Sequence, residues 1–576
     1  MLDQIPLEVL DLILDYVDTD SLLNICQLCC SLDVTISPRL HQLYKATTIQ
    51  LPVNWDMRRD EFRQSLNNRR TLKYATHLQI VGEYRQDFSR GGNYCLGGYH
   101  SVNGEGKSLR DKLGCNLMPV FRGLTRNSLL TFKWDVGTCI PLQILGPSGY
   151  LRRYQRNIEC LYLNTRQCHP GSNPQHKLSI SRFHRIRKLH WKGLFNINNC
   201  IALMEFFRTN AGRLEDLELH VGHWLWTSDW KKLPKNWIKD MALVPRGWNV
   251  FAFKILGVVK NEERIIFPRL ESLSLTTVEF TYAINEMAYA FRANKLRYLK
   301  LHNCYYTPRF LAAVTQMGSN INLVSLELVL SRYDDKEYTS TTCFFESSLQ
   351  RIEDIFLFVT ASYGDFTHDY WKSIFRPGRS LKRFVYHRLW DVGDVTGEEP
   401  VVDTRICWDQ DTVNLLTRAN LECIGLCDHP LSLIKQFSRS PRLTCKIFHI
   451  RASAYSDYRI QRPDDILALE NLAASLVNLS AVITAVKELP SCYKKWILAH
   501  ELKHFLAFAQ WAFAHNGLPQ LEILAYGDMT HPKFPYIILC RNNMPSSGRA
   551  FRIVVDGDIK LMTEVHRHMD FFQVGI

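Results

Sequence analysis

One pattern governs what this chain can fold into: Leu-x-x-Leu-x-Leu, returning at a nearly constant interval. The clearest copy is Leu296-Arg297-Tyr298-Leu299-Lys300-Leu301. Others are Leu214/Leu217/Leu219, Leu270/Leu273/Leu275, Leu323/Leu326/Leu328 and Ile352/Ile355/Leu357. Looser copies are Ile158/Leu161/Leu163, Ile186/Leu189/Trp191, Leu381/Phe384/Tyr386, Leu421/Ile424/Leu426 and Leu521/Leu524/Tyr526. The central residues at 161, 189 and 217, and again at 273, 299, 326, 355 and 384, follow one another at intervals of 26 to 29 residues. Two wider steps, from Leu78 to Phe132 and from Leu217 to Leu273, span 54 and 56 residues, about twice that interval. They imply insertions or degenerate copies near 105 and 245. A fixed period of this size is the mark of stacked units that cannot bury their apolar edges alone.

Six residues with leucine at alternate positions make one short strand. The rest of each unit returns on a helix, for which Cys200 to Phe207, Ile284 to Phe291, Phe310 to Met317 and Val413 to Leu416 are the candidates. Continued through Cys304, the copy at 296 resembles the leucine-rich-repeat template. That resemblance implies an α/β solenoid: a horseshoe with a parallel sheet on its concave side and helices outside. The array is expected over residues 46–576, with its clearest repeats at 158–450. Three stretches interrupt it: a glycine-rich one near 89–106, a tryptophan-rich one near 223–248, and an acidic one near 391–403. An ordinary α/β enzyme with leucine-rich strands is the competing fold.

The first 45 residues have a different rhythm. Val9, Leu12, Ile13, Tyr16 and Val17 fall on one helical face after Ile5-Pro6-Leu7-Glu8. Asp18-Thr19-Asp20 offers capping oxygens to a second helix carrying Leu22, Leu23, Ile25, Cys26, Leu28 and Cys29. Ser37-Pro38 reads as the start of a third. Three short helices form a very small core that needs a partner. The segment resembles an F-box, through Ile5-Pro6-Leu7-Glu8, Ile13-Leu14-Asp15-Tyr16-Val17, Ser21-Leu22-Leu23 and Leu28-Cys29. Cys30 and Leu32 depart from the basic residue and tryptophan usual there.

The whole chain is thus similar to fungal-type F-box proteins with C-terminal leucine-rich repeats. The resemblance implies the substrate-recognition subunit of a cullin–RING ubiquitin ligase of the Skp–cullin–F-box type, itself non-catalytic and without a cofactor. Its adaptor-facing residues would be Ile5, Pro6, Leu7, Glu8, Val9, Leu12, Ile13, Tyr16, Val17, Leu22, Leu23 and Leu28. They would grip a Skp-type adaptor, and through it a cullin scaffold, as a helix set in a groove. A helical cap closing the first repeat is the structural alternative.

Other features bound the function. A formal charge of +13 attracts acidic surfaces in general. A repeat-face binding protein for nucleic acid or another acidic partner, independent of any ligase, is the second functional hypothesis. Most of the 17 cysteines, such as Cys26, Cys29, Cys304 and Cys423, lie in apolar runs rather than in a dense secreted framework, which points to cytoplasm or nucleus. No apolar run approaches the roughly 20 residues that span a bilayer. One motif suggests an enzyme: His500-Glu501-Leu502-Lys503-His504 fits the His-Glu-x-x-His helix of zinc hydrolases. Its metzincin extension fails at Ala507 and Gln510, so the expectation is that it holds no metal.

If the leucines of each copy face inward, the third and fifth positions face outward along the sheet. Read across copies they include Lys188 and His190, Asp216 and Glu218, Tyr298 and Lys300, Ser325 and Glu327, Asp354 and Phe356, and Arg383 and Val385. The mixed signs favour a target protein over nucleic acid. The predicted target contacts are Lys188, His190, Tyr298, Lys300, Glu327, Phe356 and Arg383.

Overall fold

The structure is a computed structural model of the chain. It describes residues 5, 9, 12–14, 16–26, 30–51, 71–82, 105–137, 139–165, 178–194, 197–221, 249–318, 321–330, 338–348, 351–360, 368–376, 380–390, 401–402, 410–439, 443–451, 467, 470–471, 473–475, 477, 482, 499–527, 536–542 and 550–554. Two compact units divide the chain after Arg292.

The first unit opens on helices. Val9 and Leu12–Leu14 are helical, followed by α1 (Thr19–Ile25) and α2 (Cys30–Tyr44). Asp18 caps α1 by accepting from the Ser21 backbone N–H at 2.9 Å, as its sequence position suggests. The expected helix start at Ser37-Pro38 is not there: α2 runs through Pro38. A proline inside a helix forfeits one backbone bond. Here Ile36 and Leu40, four residues apart on one face, are both fully buried and carry the helix past it. They share a core with Leu14, Leu22, Cys26 and Tyr74. Tyr74 lies just ahead of the second strand, so this core ties the N-terminal helices to the repeats.

Seven parallel strands follow: β1 (Ala46–Leu51), β2 (His77–Gly82), β3 (Thr131–Asp135), β4 (Cys160–Asn164), β5 (Lys188–Leu194), β6 (Asp216–Val221) and β7 (Ser272–Thr276). Each pairs with the next in sequence. Their register lines up Thr47, Leu78, Phe132, Leu161, Leu189, Leu217 and Leu273 in one buried row. The repeat centres read from the sequence are therefore true structural equivalents. The two double-length steps resolve as insertions, because β2 pairs directly with β3 and β6 directly with β7. The first insertion carries α3 (Glu105–Phe121); α4 (Leu142–Leu145), α5 (Tyr150–Tyr154), α6 (Ile197–Asn210) and α7 (Ile284–Ala290) complete the unit.

The second unit repeats the scheme with parallel strands β8 (Tyr298–His302), β9 (Ser325–Leu330), β10 (Asp354–Thr360) and β11 (Arg383–Trp390). A two-residue antiparallel strand, β12 (Val401–Val402), sits on β11. The parallel run goes on through β13 (Cys423–Leu426), β14 (Ile447–Ile450) and β15 (Ile523–Tyr526). It ends in two antiparallel strands, β16 (Ile537–Arg541) and β17 (Phe551–Ile553). Helices alternate with the strands: α8 (Thr307–Gln316), α9 (Tyr338–Ser348), α10 (His368–Ile374), α11 (Gln410–Arg418), α12 (Pro430–Phe437) and α13 (Ala499–Phe513). Both units thus have an α/β repeat-type fold with mostly parallel strands.

Two of the parallel strands escaped the sequence pattern. In β1 a threonine occupies the central leucine position, and in β14 the copy reads Cys445/Phe448/Ile450. Among the cysteines, Cys26, Cys304 and Cys423 are buried, as expected, while Cys29 lies outside the described residues. Cys139 is disulfide-bonded, which a uniform set of buried thiols does not anticipate. No helix of the described residues is long and apolar enough to cross a membrane. The tryptophans of the 223–248 stretch, Trp224 through Trp248, lie outside the described residues.

Candidate functional site

The expected adaptor-facing residues separate into two groups. Val9, Leu12, Ile13 and Tyr16 are exposed, Tyr16 by 92% and Leu12 by 62%. Their helix instead buries Leu14, which the sequence reading left off the apolar face. Leu22, assigned to the adaptor surface, is buried in the N-terminal core; Ile5 and Val17 are partly buried against it. A residue filling that core cannot at the same time anchor a partner, so Leu22 leaves the candidate surface. Pro6, Leu7, Glu8 and Leu28 lie outside the described residues, as does the side chain of Leu23.

The second candidate surface is the strand face opposite the leucine rows. In the first unit, strand geometry sends Lys133 and Asp135, Tyr162 and Asn164, Lys188, His190 and Lys192, and Asp216 and Glu218 to this face. None of them is buried, and all but the exposed Lys188 bind one another. His190 Nδ1 lies 3.0 Å from Glu218 Oε2, and its Nε2 lies 3.0 Å from Asp216 Oδ2, a charge contact off the hydrogen-bonding direction. Lys192 reaches Glu218 at 2.9 Å, Lys133 reaches Asp135 at 3.2 Å, and Asn164 Nδ2 donates to Asp135 at 3.1 Å. The Tyr162 ring meets the His190 ring edge-on.

This arrangement sets the charges. Burial alone would lower the His190 pKa, but Asp216 and Glu218 outweigh it and raise it to about 9. Burial likewise works against both carboxylates, yet His190 holds Asp216 and Glu218 below the usual range, with Lys192 adding to the effect on Glu218. Burial, with Cys160 and the two carboxylates behind it, pushes Tyr162 up to about 12. The face is a lattice of compensated charges with several half-exposed donors and acceptors.

In the second unit the predicted contacts meet different fates. Tyr298 is exposed, and the Arg297 guanidinium lies over its ring. Lys300 and His302 each hold Glu327 at 2.7 Å, so Glu327 is nearly buried and already occupied. Burial opposes its charge, but His302 and then Lys300 bring its pKa down to about 2. Arg383 forms a two-pronged ion pair with Asp354. Phe356 is a correction: it is fully buried, in a core with Val329, Phe358, Val385 and Cys423, and offers nothing to a target. The alternation of a one-sided strand does not hold there, because Ile355-Phe356-Leu357-Phe358-Val359 is apolar at every position and buried on both faces.

The zinc-like motif lies on α13. His504 is buried, with Nδ1 3.2 Å from His429 Nε2 and Nε2 2.9 Å from Glu470 Oε1. That hydrogen bond is the main cause of Glu470's lowered pKa. Both ring nitrogens of His504 therefore have protein partners. The side chains of His500 and Glu501 lie outside the described residues. Among the described residues, no group of three His, Cys, Asp or Glu side chains is arranged to hold a metal ion.

A scan against protein-family models found no match, and a search of curated proteins found no relative.

Proposed function

We propose that this chain is the substrate-recognition subunit of a Skp–cullin–F-box ubiquitin ligase. In this reading the N-terminal helices dock an adaptor, and a horseshoe of leucine-rich repeats holds a target protein. The observation that carries the reading is the exposed row Val9, Leu12, Ile13 and Tyr16 on a small helical unit whose own core is filled from the other side. Each large apolar side chain moved out of water contributes about 1.5–3 kcal/mol, so such a row is a strong driving force for docking. The in-register leucine rows support the repeat half of the reading. The compensated charges of the first unit's strand face suit a protein target held by mixed polar contacts, since a phosphate-tracking groove needs an excess of cations.

The test is co-purification of the full chain with a Skp-type adaptor. Leu12→Ser combined with Tyr16→Ser should cut adaptor recovery at least about tenfold while leaving the melting curve in place, because both side chains are exposed. Unchanged recovery would count against the reading. Point changes are preferable to deleting residues 1–45, because the deletion would also uncover Tyr74.

A further inference from the structure

The connectors leading into β3, β4, β5 and β6 hold a second surface, distinct from the N-terminal helices and from the strand face. They carry Arg126, Arg153, Arg156, Arg182, Arg185 and Arg213, all exposed. Parallel pairing of the strands puts successive connectors about 4.8 Å apart at the strand ends. Hydrogen bonds fasten them to one another. Asn127 N donates to Tyr154 O at 2.8 Å, and Arg156 N donates to Asn127 Oδ1 at 2.9 Å. Arg187 N donates to Glu159 O at 2.8 Å, Asn210 Nδ2 donates to Ser181 O at 3.0 Å, and the Arg213 guanidinium donates to His184 O. Arg152 senses the crowding: burial first, then the charges of Arg182 and Arg153, lower its pKa.

The charges of this ridge have no local compensation. Residues 122–130, 150–159, 181–187 and 211–215 contain no carboxylates but Glu159 and Glu215, and Arg187 already holds Glu215 at 2.6 Å. Arg126, Arg153, Arg156, Arg182 and Arg185 form no ion pair among the described residues. The strand face satisfies its ions internally, whereas the ridge leaves a row of guanidiniums facing solvent.

We propose that this ridge binds a carboxylate-rich segment of a partner polypeptide. Guanidinium forks match carboxylates two bonds at a time, so a row of them favours repeated acidic side chains. Nucleic acid fits less well. Single strands are held by open aromatic platforms, and Tyr154, the one exposed Phe, Tyr or Trp among the described residues of these connectors, already packs on Tyr150. Glu159, Asp216 and Glu218 follow directly at the strand starts, where they would repel a continuous phosphate chain but leave room for a short acidic run. The inference does not depend on adaptor docking.

The test uses the full chain and fluorescence anisotropy with a short labelled peptide of alternating glutamate and serine. Its controls are the same peptide with glutamine for glutamate, and a single-stranded oligonucleotide of matching length. Wild type should bind the glutamate peptide saturably, less tightly as salt rises. The combined variant Arg153→Ala, Arg156→Ala, Arg182→Ala, Arg185→Ala should weaken binding at least about tenfold. Lys435→Ala, a change to an exposed cation on α12, should not. If the combined variant does not fold, Arg185→Glu alone replaces it, with a loss of several-fold expected. No saturable binding by wild type, equal binding of the glutamine peptide, or unchanged binding by the arginine variant would overturn the proposal. So would tighter oligonucleotide binding that the arginine variant abolishes, which would assign the ridge to nucleic acid.

Discussion

The strand face opposite the leucine rows is wet and ionic in the first unit and, from β10 onward, dry in the second. From His77 to Thr276 not one outward position of β2 to β7 is buried, and the charges along β3 to β6, Lys188 apart, are paired with one another. From Phe356 to Ile538, the partly exposed Arg383 apart, the equivalent positions include Phe356, Phe358, Val385, Ile447, Ile523 and Ala525, all buried. Even the polar residues there are enclosed: His387, His449 and Arg451 are all buried, with Arg451 over the Phe358 ring. One backbone plan therefore supports two kinds of surface. The first unit's face remains open to a partner, whereas that stretch of the second unit is interior. A target surface should be sought on the first unit and at β8, not evenly along the repeats.

The contrast is tested most severely at Phe356. Phe356→Ala removes a ring packed against Phe358 and His387 and should cost about 3–5 kcal/mol in denaturant unfolding of the full chain. A cost below about 1 kcal/mol would place that face in solvent and collapse the distinction between the units.

Phe356 also shows where the sequence stopped being legible. The repeat centres from Leu161 to Phe384 came directly from spacing, because each must fill the same slot between neighbouring units. The same template misled at the outward positions, since it presumes one wet face. The unbroken run Ile355 to Val359 already departed from it, and continuous apolar strands are covered on both sides. β1 was hidden because Thr47 stands where leucine was sought. The exposed apolar row Val9, Leu12, Ile13 and Tyr16 was legible by helical period, but the inner side of that segment was not. Leu14 and Leu22 are as apolar as Leu12, and only the location of Tyr74 decides which of them turn inward. The arginine ridge could not be read from composition, because the net charge of +13 does not say which cations lack partners.

A middle case lies at the border of the dry region. Asp354 is buried and held by both prongs of Arg383, and that hydrogen bonding is the first cause of the guanidinium's raised pKa. Arg383→Ala strands a buried carboxylate and should cost about 2–3 kcal/mol, less than a fully enclosed pair because the arginine is partly exposed. Replacing both residues with apolar side chains should recover part of that loss. A cost for the single change no larger than that of a surface bridge, under about 1 kcal/mol, would extend the wet character into β10 and β11.

Two histidines should report the contrast through opposite pH dependence. His190, with its pKa raised from 6.5 to about 9, stabilises the fold fully below 6.5 and loses that contribution as pH rises through about 9. His190→Gln should remove about 1–2 kcal/mol of stability at pH 6 and flatten the decline on the alkaline side. His387 is buried and its pKa lies well below 6.5, owing first to burial and then to Arg451 and His449. Its contribution is complete above 6.5 and is lost as pH falls, because folding must keep the ring neutral. His387→Phe should flatten the acid side instead. Urea titrations across pH decide the matter, and parallel curves for the two variants would remove the electrostatic half of the comparison.

The smallest effect is expected at Tyr298, which locates where the second unit changes character. Tyr298 takes the outward position in β8 that Asp354 takes two strands later, one outward position ahead of the row Lys300, Glu327 and Phe356, yet it is 40% exposed, with the Arg297 guanidinium 5.7 Å from its ring. An interaction of that kind at the surface contributes about 0.5–1 kcal/mol at most, and an exposed ring recovers solvation when removed. Tyr298→Ala should therefore shift unfolding by no more than about 0.5 kcal/mol. Between Tyr298 and Phe356, Glu327 is nearly enclosed but still ionised, as expected of a strand at the boundary. If Tyr298→Ala proved as costly as Phe356→Ala, the dry interior would begin at β8, and the surface left for a partner would be confined to the first unit. A negligible cost keeps β8 open, with Lys300 presented to solvent beside it.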